Sequence, residues 1–238
     1  MKCPKCGKSI DAIAGMKFCP FCAAPLEEKK TTVTGPALGA LSTGSRVKFG
    51  RYPQASSVPE PIEWRVLVGG KTRALLISKY LLDGRKYNET CNDVTWETCT
   101  LRKWLNNDFL RAAFTAEEQA RLLLVSHINI GNAKHEIPGG NTTADKVFCL
   151  TIEETEKYLP TFEDRRAAPT KYAMSRGAES NEKVKLADGR NAGWWWLRTP
   201  GMGERYVSIV LSSGEINKNG NFVDIAGYGV RPAVWISL

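Results

Sequence analysis

The sequence has no apolar run approaching the roughly 18 residues that a membrane-spanning helix requires, so no transmembrane helix is expected. Its opening, MKCPKCGKSI, lacks the apolar core of a secretory signal. The expected location is therefore the cytoplasm, and a phage virion remains compatible. Histidine occurs only twice, as His127 and His135, and neither has a nucleophile or carboxylate at catalytic spacing. Both are expected at the surface or at caps. GxSxG, HExxH, Walker and dinucleotide-binding glycine patterns are all missing, which excludes the usual sequence routes to hydrolysis, phosphoryl transfer and hydride transfer. Blocks of like charge are missing too. Of the net charge of +8, about three sit in the first thirty residues, where six lysines face Asp11, Glu27 and Glu28, and the rest is spread out. That excludes the clustered basic stripe of a dedicated nucleic-acid binder.

What is present is an ordinary globular composition, 42% hydrophobic and 24% charged over 238 residues, enough for one good core and a small appendage. Four of the seven cysteines are regularly spaced. In CPKCGKSIDAIAGMKFCPFC, the pairs Cys3/Cys6 and Cys19/Cys22 form two CxxC knuckles, whose four thiolates suit the tetrahedral preference of zinc. With every position filled by sulfur, the expected zinc is structural. The rival reading, a redox CxxC, would require a βαβ pattern after one pair, and none follows. Residues 1–26 are thus expected to be a zinc ribbon, and 27–44, rich in Thr, Gly, Ala and Ser, a flexible linker. The other three cysteines, Cys91, Cys99 and Cys149, are expected to pack as small hydrophobes.

Residues 45–238 read as an α+β domain. RVKFGRY, IEWRVLV and RALLIS are strands, the last two joined by Gly69-Gly70-Lys71 as a hairpin. Leu101, Trp104, Leu105 and Phe109 fall at helical intervals, Thr115/Glu118 and Thr151/Glu154 form capping boxes, and Pro169 opens a short helix ending near Gly177. After Gly193 the chain returns to strands: WWWLR, YVSIVL, GEIN, FVDI and GVRPAVWISL, with Asn219-Gly220 read as a tight turn. The final strand is free to pair back on the opening hairpin. Alternation puts Trp194 and Trp196 on a face opposite Trp195, as core rather than a sugar-stacking platform, and Arg231 is expected to bond main-chain carbonyls or a counter-charge.

The segments PIEWRVL, ALLISKYLLD, VTWETCTLRKWLNNDF, DKVFCLTIEE, WWWLRTPG and GVRPAVWISL together resemble a large family of bacterial domains often fitted with N-terminal zinc ribbons. Members of that family resemble the C-type lectin fold and the related formylglycine-generating enzymes, and some are variable proteins of diversity-generating retroelements. The resemblance implies a C-type-lectin-like domain over 45–238 whose C-terminal region, about 194–232, is rewritten by error-prone reverse transcription while the scaffold stays fixed. It implies a non-enzymatic protein that binds a ligand, itself a protein. Core and turn positions would be Val207, Val210, Ile216, Val223, Gly214 and Gly220. The diversified, solvent-facing positions would be Met202, Glu204, Arg205, Tyr206, Ile209, Leu211, Ser213, Glu215, Asn217, Lys218, Asn219, Asn221, Phe222, Asp224, Ile225, Ala226 and Tyr228. Such a mixture of aromatic, aliphatic, charged and amide side chains suits adaptable recognition. Two alternatives stand beside it: an enzyme of the formylglycine-generating type, and a nucleic-acid adaptor acting through the basic ribbon. Against the first, the family's C-terminal cysteines have no counterpart, because the last cysteine is Cys149. Nor do Glu204, Glu215 and Asp224 cluster as a calcium site would require. Ligand identity and oligomeric state are not encoded in any motif.

Overall fold

The computed structural model describes residues 39–238, which fold as a mixed α+β unit dominated by sheet. The expected ribbon ligands Cys3, Cys6, Cys19 and Cys22 lie outside the described residues, as does most of the expected linker. β1 (Arg46–Pro53), β2 (Pro59–Val68) and β3 (Arg73–Ser78) form an antiparallel meander, with the hairpin at Gly69-Gly70 as expected. Along β2 the period of two holds as far as Val66: Ile62, Trp64 and Val66 are fully buried, while Glu63 and Arg65 between them stay half-buried; Leu67, also buried, breaks it. Leu41 and Gly44, assigned to the linker on composition, are hydrogen bonded to this meander at Gly70 and Val66.

After β4 (Asp83–Gly84), α1 (Thr100–Trp104) passes through a π-helical turn (Leu105–Phe109) into α2 (Leu110–Ala113). Its Leu101, Leu105 and Phe109 are buried, the stripe that helical spacing predicts. α3 (Ala116–Arg121) begins with the Thr115/Glu118 capping box. β5 (Val125–His127), β6 (Thr143–Asp145) and β7 (Val147–Phe148) precede α4 (Ile152–Tyr158), which carries the Thr151/Glu154 box. α5 (Phe162–Arg165) has a third box, Thr161/Asp164, and α6 (Lys171–Ser175) is capped by Thr170, directly after Pro169. The chain then runs through β8 (Ser180–Lys185), β9 (Asn191–Gly193), β10 (Trp195–Pro200), β11 (Tyr206–Val210), β12 (Ile216–Phe222), β13 (Gly229–Val230) and β14 (Ala233–Ser237). One sheet has the order β1-β2-β3-β14-β7, so the last strand does pair back on the opening hairpin. The other has the order β12-β11-β10-β13-β4, with β12 at its edge. Among the described residues no helix is long and apolar enough to cross a membrane.

Trp195 and Trp196 leave β10 on opposite sides, and both are fully buried. Trp195 donates from Nε1 to the Arg165 carbonyl at 3.1 Å; Trp196 donates to the Arg85 carbonyl at 2.7 Å and packs on Tyr87 and Tyr228. Trp194 falls between β9 and β10 and is half-buried. Arg198, 4% exposed, is held bidentately by Glu154 at 2.8 and 3.0 Å, so the cap of α4 also locks β10.

Several expectations are corrected. Asn219-Gly220 is no hairpin turn: it lies inside β12, which runs unbroken from Ile216 to Phe222, while Val223–Ile225 of the expected FVDI strand fall outside it. Between the pairs Val207↔Asn221 and Ile209↔Asn217 the register shifts, and the extra residues form a bulge. Gly220 takes φ +74° there, while the Asn217 side chain accepts from the N–H groups of Asn219 and Gly220. The true turn is at Leu211–Glu215, with Gly214 at φ +89°. His127 is not at the surface but 5% exposed, because β5 pairs with β6 and turns it onto the Phe148 ring, centroids 4.1 Å apart. Cys99 and Cys149 are buried as expected, whereas Cys91 is exposed on the loop after β4.

Candidate ligand-binding surface

The exposed C-terminal surface is built on the β11–β12 hairpin. Its backbone is fixed from below: Gly201 N–H donates to Tyr206 O at 2.7 Å, Val223 N–H to Arg205 O at 3.0 Å and Asn88 N–H to Val223 O at 2.8 Å. Above this frame Tyr206 and Phe222 face each other across the strands, ring centroids 4.2 Å apart. Met202, Phe222 and Ile225 expose 46%, 38% and 39% of their surface, and Glu204 and Ala226 are exposed beside them. Arg205 reaches Asp93 at 2.9 Å; both side chains are more than half in solvent, so the pair adds specificity of shape more than stability. Desolvation and the neighbouring Asp224 carboxylate push the Cys91 thiol above its ordinary pKa.

The seventeen residues singled out by sequence do not form one face. Met202, Glu204, Arg205, Tyr206, Asn221, Phe222, Asp224, Ile225 and Ala226 gather at the open end of the hairpin. Ser213 and Glu215 lie at the opposite, turn end, roughly 17 Å away at about 3.3 Å per residue. Asn217, Lys218 and Asn219 make the bulge, which is engaged already. Asn132, 2% exposed, donates from Nδ2 to the carbonyls of Pro200, Gly201 and Lys218, and Lys134 Nζ and His135 Nε2 both meet Asn219 Oδ1 at 2.8 Å. Lys218 Nζ pairs with Glu156 at 2.8 Å. Tyr228 packs on Trp196 with centroids 4.1 Å apart and accepts from Asn221, and Leu211 packs against the core. Ile209 is a correction: at 2% exposed it offers nothing to a ligand, because β11 is covered on both faces. The resemblance places Ile209 among the solvent-facing positions; the closed sheet leaves it in the core.

Sequence reasoning missed the loops that border the open end. Cys91 and Asp93 come from the segment after β4, where Val94 N–H donates to Glu204 O at 3.1 Å. The Asn132 peg belongs to the same category: three carbonyls 68 to 86 residues away in sequence leave no local signal. Two cavities lie elsewhere, one of about 610 Å³ flanked by Lys48, Glu60 and Thr170, and one of about 350 Å³ bordered by Arg65, Arg166 and Arg231. None of the seventeen residues lines either.

Compared with known proteins, the chain matches the model of one family, the domain of unknown function DUF6273, over residues 71–238. No curated protein and no solved structure matches it.

Proposed function

Since this chain belongs to the DUF6273 domain family, whose description names no activity, we propose from its own surface that it is a non-enzymatic ligand-binding protein whose partner is a protein. The carrying observation is the open end of the β11–β12 hairpin, where exposed Met202, Phe222 and Ile225 stand among Glu204, Arg205 and Asp224 on a backbone tied to a buried tryptophan frame. Exposed apolar residues rimmed by charge are the composition of a protein contact. A rigid frame lowers the ordering cost of whatever side chains it carries.

The finer reading is that the scaffold is C-type-lectin-like and that the chain is the variable protein of a diversity-generating retroelement, with a structural zinc ribbon on Cys3, Cys6, Cys19 and Cys22. Four thiolates in two CxxC pairs are a donor set that fits zinc. What supports diversification is the separation of the open-end side chains from the residues that hold the fold: replacing them changes the surface and leaves the hydrogen-bonded frame intact. Against the formylglycine-generating alternative stand the two buried thiols. Burial pushes Cys99 up to about 12, and burial followed by the nearby Cys99 pushes Cys149 higher still, whereas metal and oxygen chemistry at sulfur needs accessible thiolate.

Sequencing the gene's neighbourhood tests the reading. A reverse transcriptase beside a near-copy of the codons for residues 194–232, differing only where the copy carries adenine, supports it. Independent isolates that share identical codons for 202–228 and have no such copy overturn the diversified reading, leaving a binding surface of fixed sequence.

A further inference from the structure

The cavity of about 350 Å³ lies between β2, the end of α5 and the tip of the β8–β9 hairpin. Six cationic side chains border it, Arg46, Arg65, Lys79, Arg166, Lys185 and Arg231, against three acidic ones, Glu163, Asp164 and Asp188. Most of the cations are already balanced. Arg65 pairs with Asp164 at 2.7 Å, Arg166 with Glu163 at 3.2 Å, and Arg46 and Lys79 share Glu63, each at 3.2 Å. Asp188 is engaged by the Tyr80 hydroxyl at 3.2 Å and by Arg190 at 3.8 Å. Two cations are left without a carboxylate within 4 Å among the described residues. Lys185 bonds only the neutral Asn191 Oδ1, at 2.6 Å. Arg231 bonds only main-chain carbonyls, Nε to Ser78 at 3.1 Å and Nη1 to Arg165 at 2.9 Å.

Arg231 is the decisive member. It is 3% exposed, with its guanidinium over the Trp195 ring at 5.1 Å. A buried charge without a counter-charge is costly, and two carbonyl bonds use two of the five N–H donors. Burial, followed by the nearby Arg65, lowers its pKa to about 9, with Asp164 opposing, which is the signature of a cation short of negative charge. Its planar fork matches the geometry of a carboxylate or phosphate. Lys185 borders the same cavity, on a hairpin whose tip is anchored over Tyr80 by Asp188 and by Arg190 stacked at 4.2 Å.

We propose that this cavity is an oxyanion site, which takes the phosphate or carboxylate group of a small molecule between Arg231 and Lys185. The volume falls in the range of small-ligand pockets. The site is separate from the open end of β11–β12 and does not depend on the function proposed for that surface.

The test is calorimetric titration of the full chain with inorganic phosphate and, separately, succinate, at about 0.15 M chloride to suppress loose ion pairing. Saturable binding of either is expected, and the better probe identifies which oxyanion the site prefers. Lys185→Ala, an exposed position whose loss leaves the core untouched, is expected to weaken that binding about tenfold. Lys103→Ala, exposed on α1, is expected to leave it unchanged. Absence of saturable binding to both anions overturns the site, as does equal weakening by Lys185→Ala and Lys103→Ala. In the native chain bound phosphate or succinate should also shift the Arg231 Nε–H resonance, a readout that needs no variant at the buried position.

Discussion

Acidifying the protein from pH 7 to 4 should destabilise it through His127 in a way that one substitution removes. The ring is 5% exposed, its Nε2 has no hydrogen-bond partner, and it rests against Phe148. Burial, helped by the Arg198 charge and opposed by Glu154 and Asp145, lowers its pKa to about 4. In the unfolded chain the value returns to 6.5. Between these two values the unfolded state binds the extra proton, so stability falls as the pH falls. The neutral, buried ring is fully accommodated above pH 6.5, and the destabilisation levels off below about 4. Each pKa unit is worth about 1.4 kcal/mol, so the loss is about 2 kcal/mol by pH 5 and about 3 kcal/mol by pH 4. Urea denaturation followed by tryptophan fluorescence, on the native chain and on His127→Leu, isolates this effect. Other titrating groups, including any zinc-bound thiolates, contribute equally to both proteins and cancel in the difference. The native chain should lose about 2 kcal/mol more than the variant between pH 7 and 5. Parallel pH profiles would refute the assignment and mean that His127 accepts its proton in the fold without penalty.

Further outcomes follow from the same geometry. Asp145 is wholly buried and accepts from Trp96, Thr143 and Arg102, the last at 2.7 Å, so Asp145→Asn leaves Arg102 without its counter-charge; a loss of about 3 kcal/mol in urea denaturation is expected. Gly214→Ala combines φ +89° with a Cβ driven into the Phe162 carbonyl, and thermal denaturation should register a loss of about 2–4 kcal/mol. By contrast, Ile225→Ser at the open end should cost clearly less, about 1–1.5 kcal/mol in the same assay, since 39% of its surface is already in solvent. Alkylation of the native protein, mapped by peptide mass spectrometry, should label Cys91 and spare Cys99 and Cys149 until the fold is unfolded, since only Cys91 is exposed among the three.

What the sequence determined by itself is what acts over a few residues. The capping boxes at Thr115/Glu118 and Thr151/Glu154, the Leu101–Phe109 stripe, the Gly69-Gly70 hairpin and the need for glycine at 214 and 220 all depend on spacing within a turn or two of the chain. Burial of Trp195, Trp196, Val207, Val210 and Val223 was legible for the same reason, because large apolar groups at strand spacing leave water wherever the strand lies. Tertiary structure alone decided which polar and intermediate residues were covered. Ile209 is buried because β11 is enclosed on both faces, and His127 because β6 pairs across it. Asn219 is tied to Lys134 and His135, more than eighty residues away, and Arg231 reaches the Ser78 carbonyl across 153 residues. Such partners meet only when sheets and loops close in three dimensions. Local chemistry could therefore write the strands, caps and turns, while only the closed fold decided which side chains faced solvent and which two cations, Lys185 and Arg231, border a cavity with no carboxylate within 4 Å among the described residues.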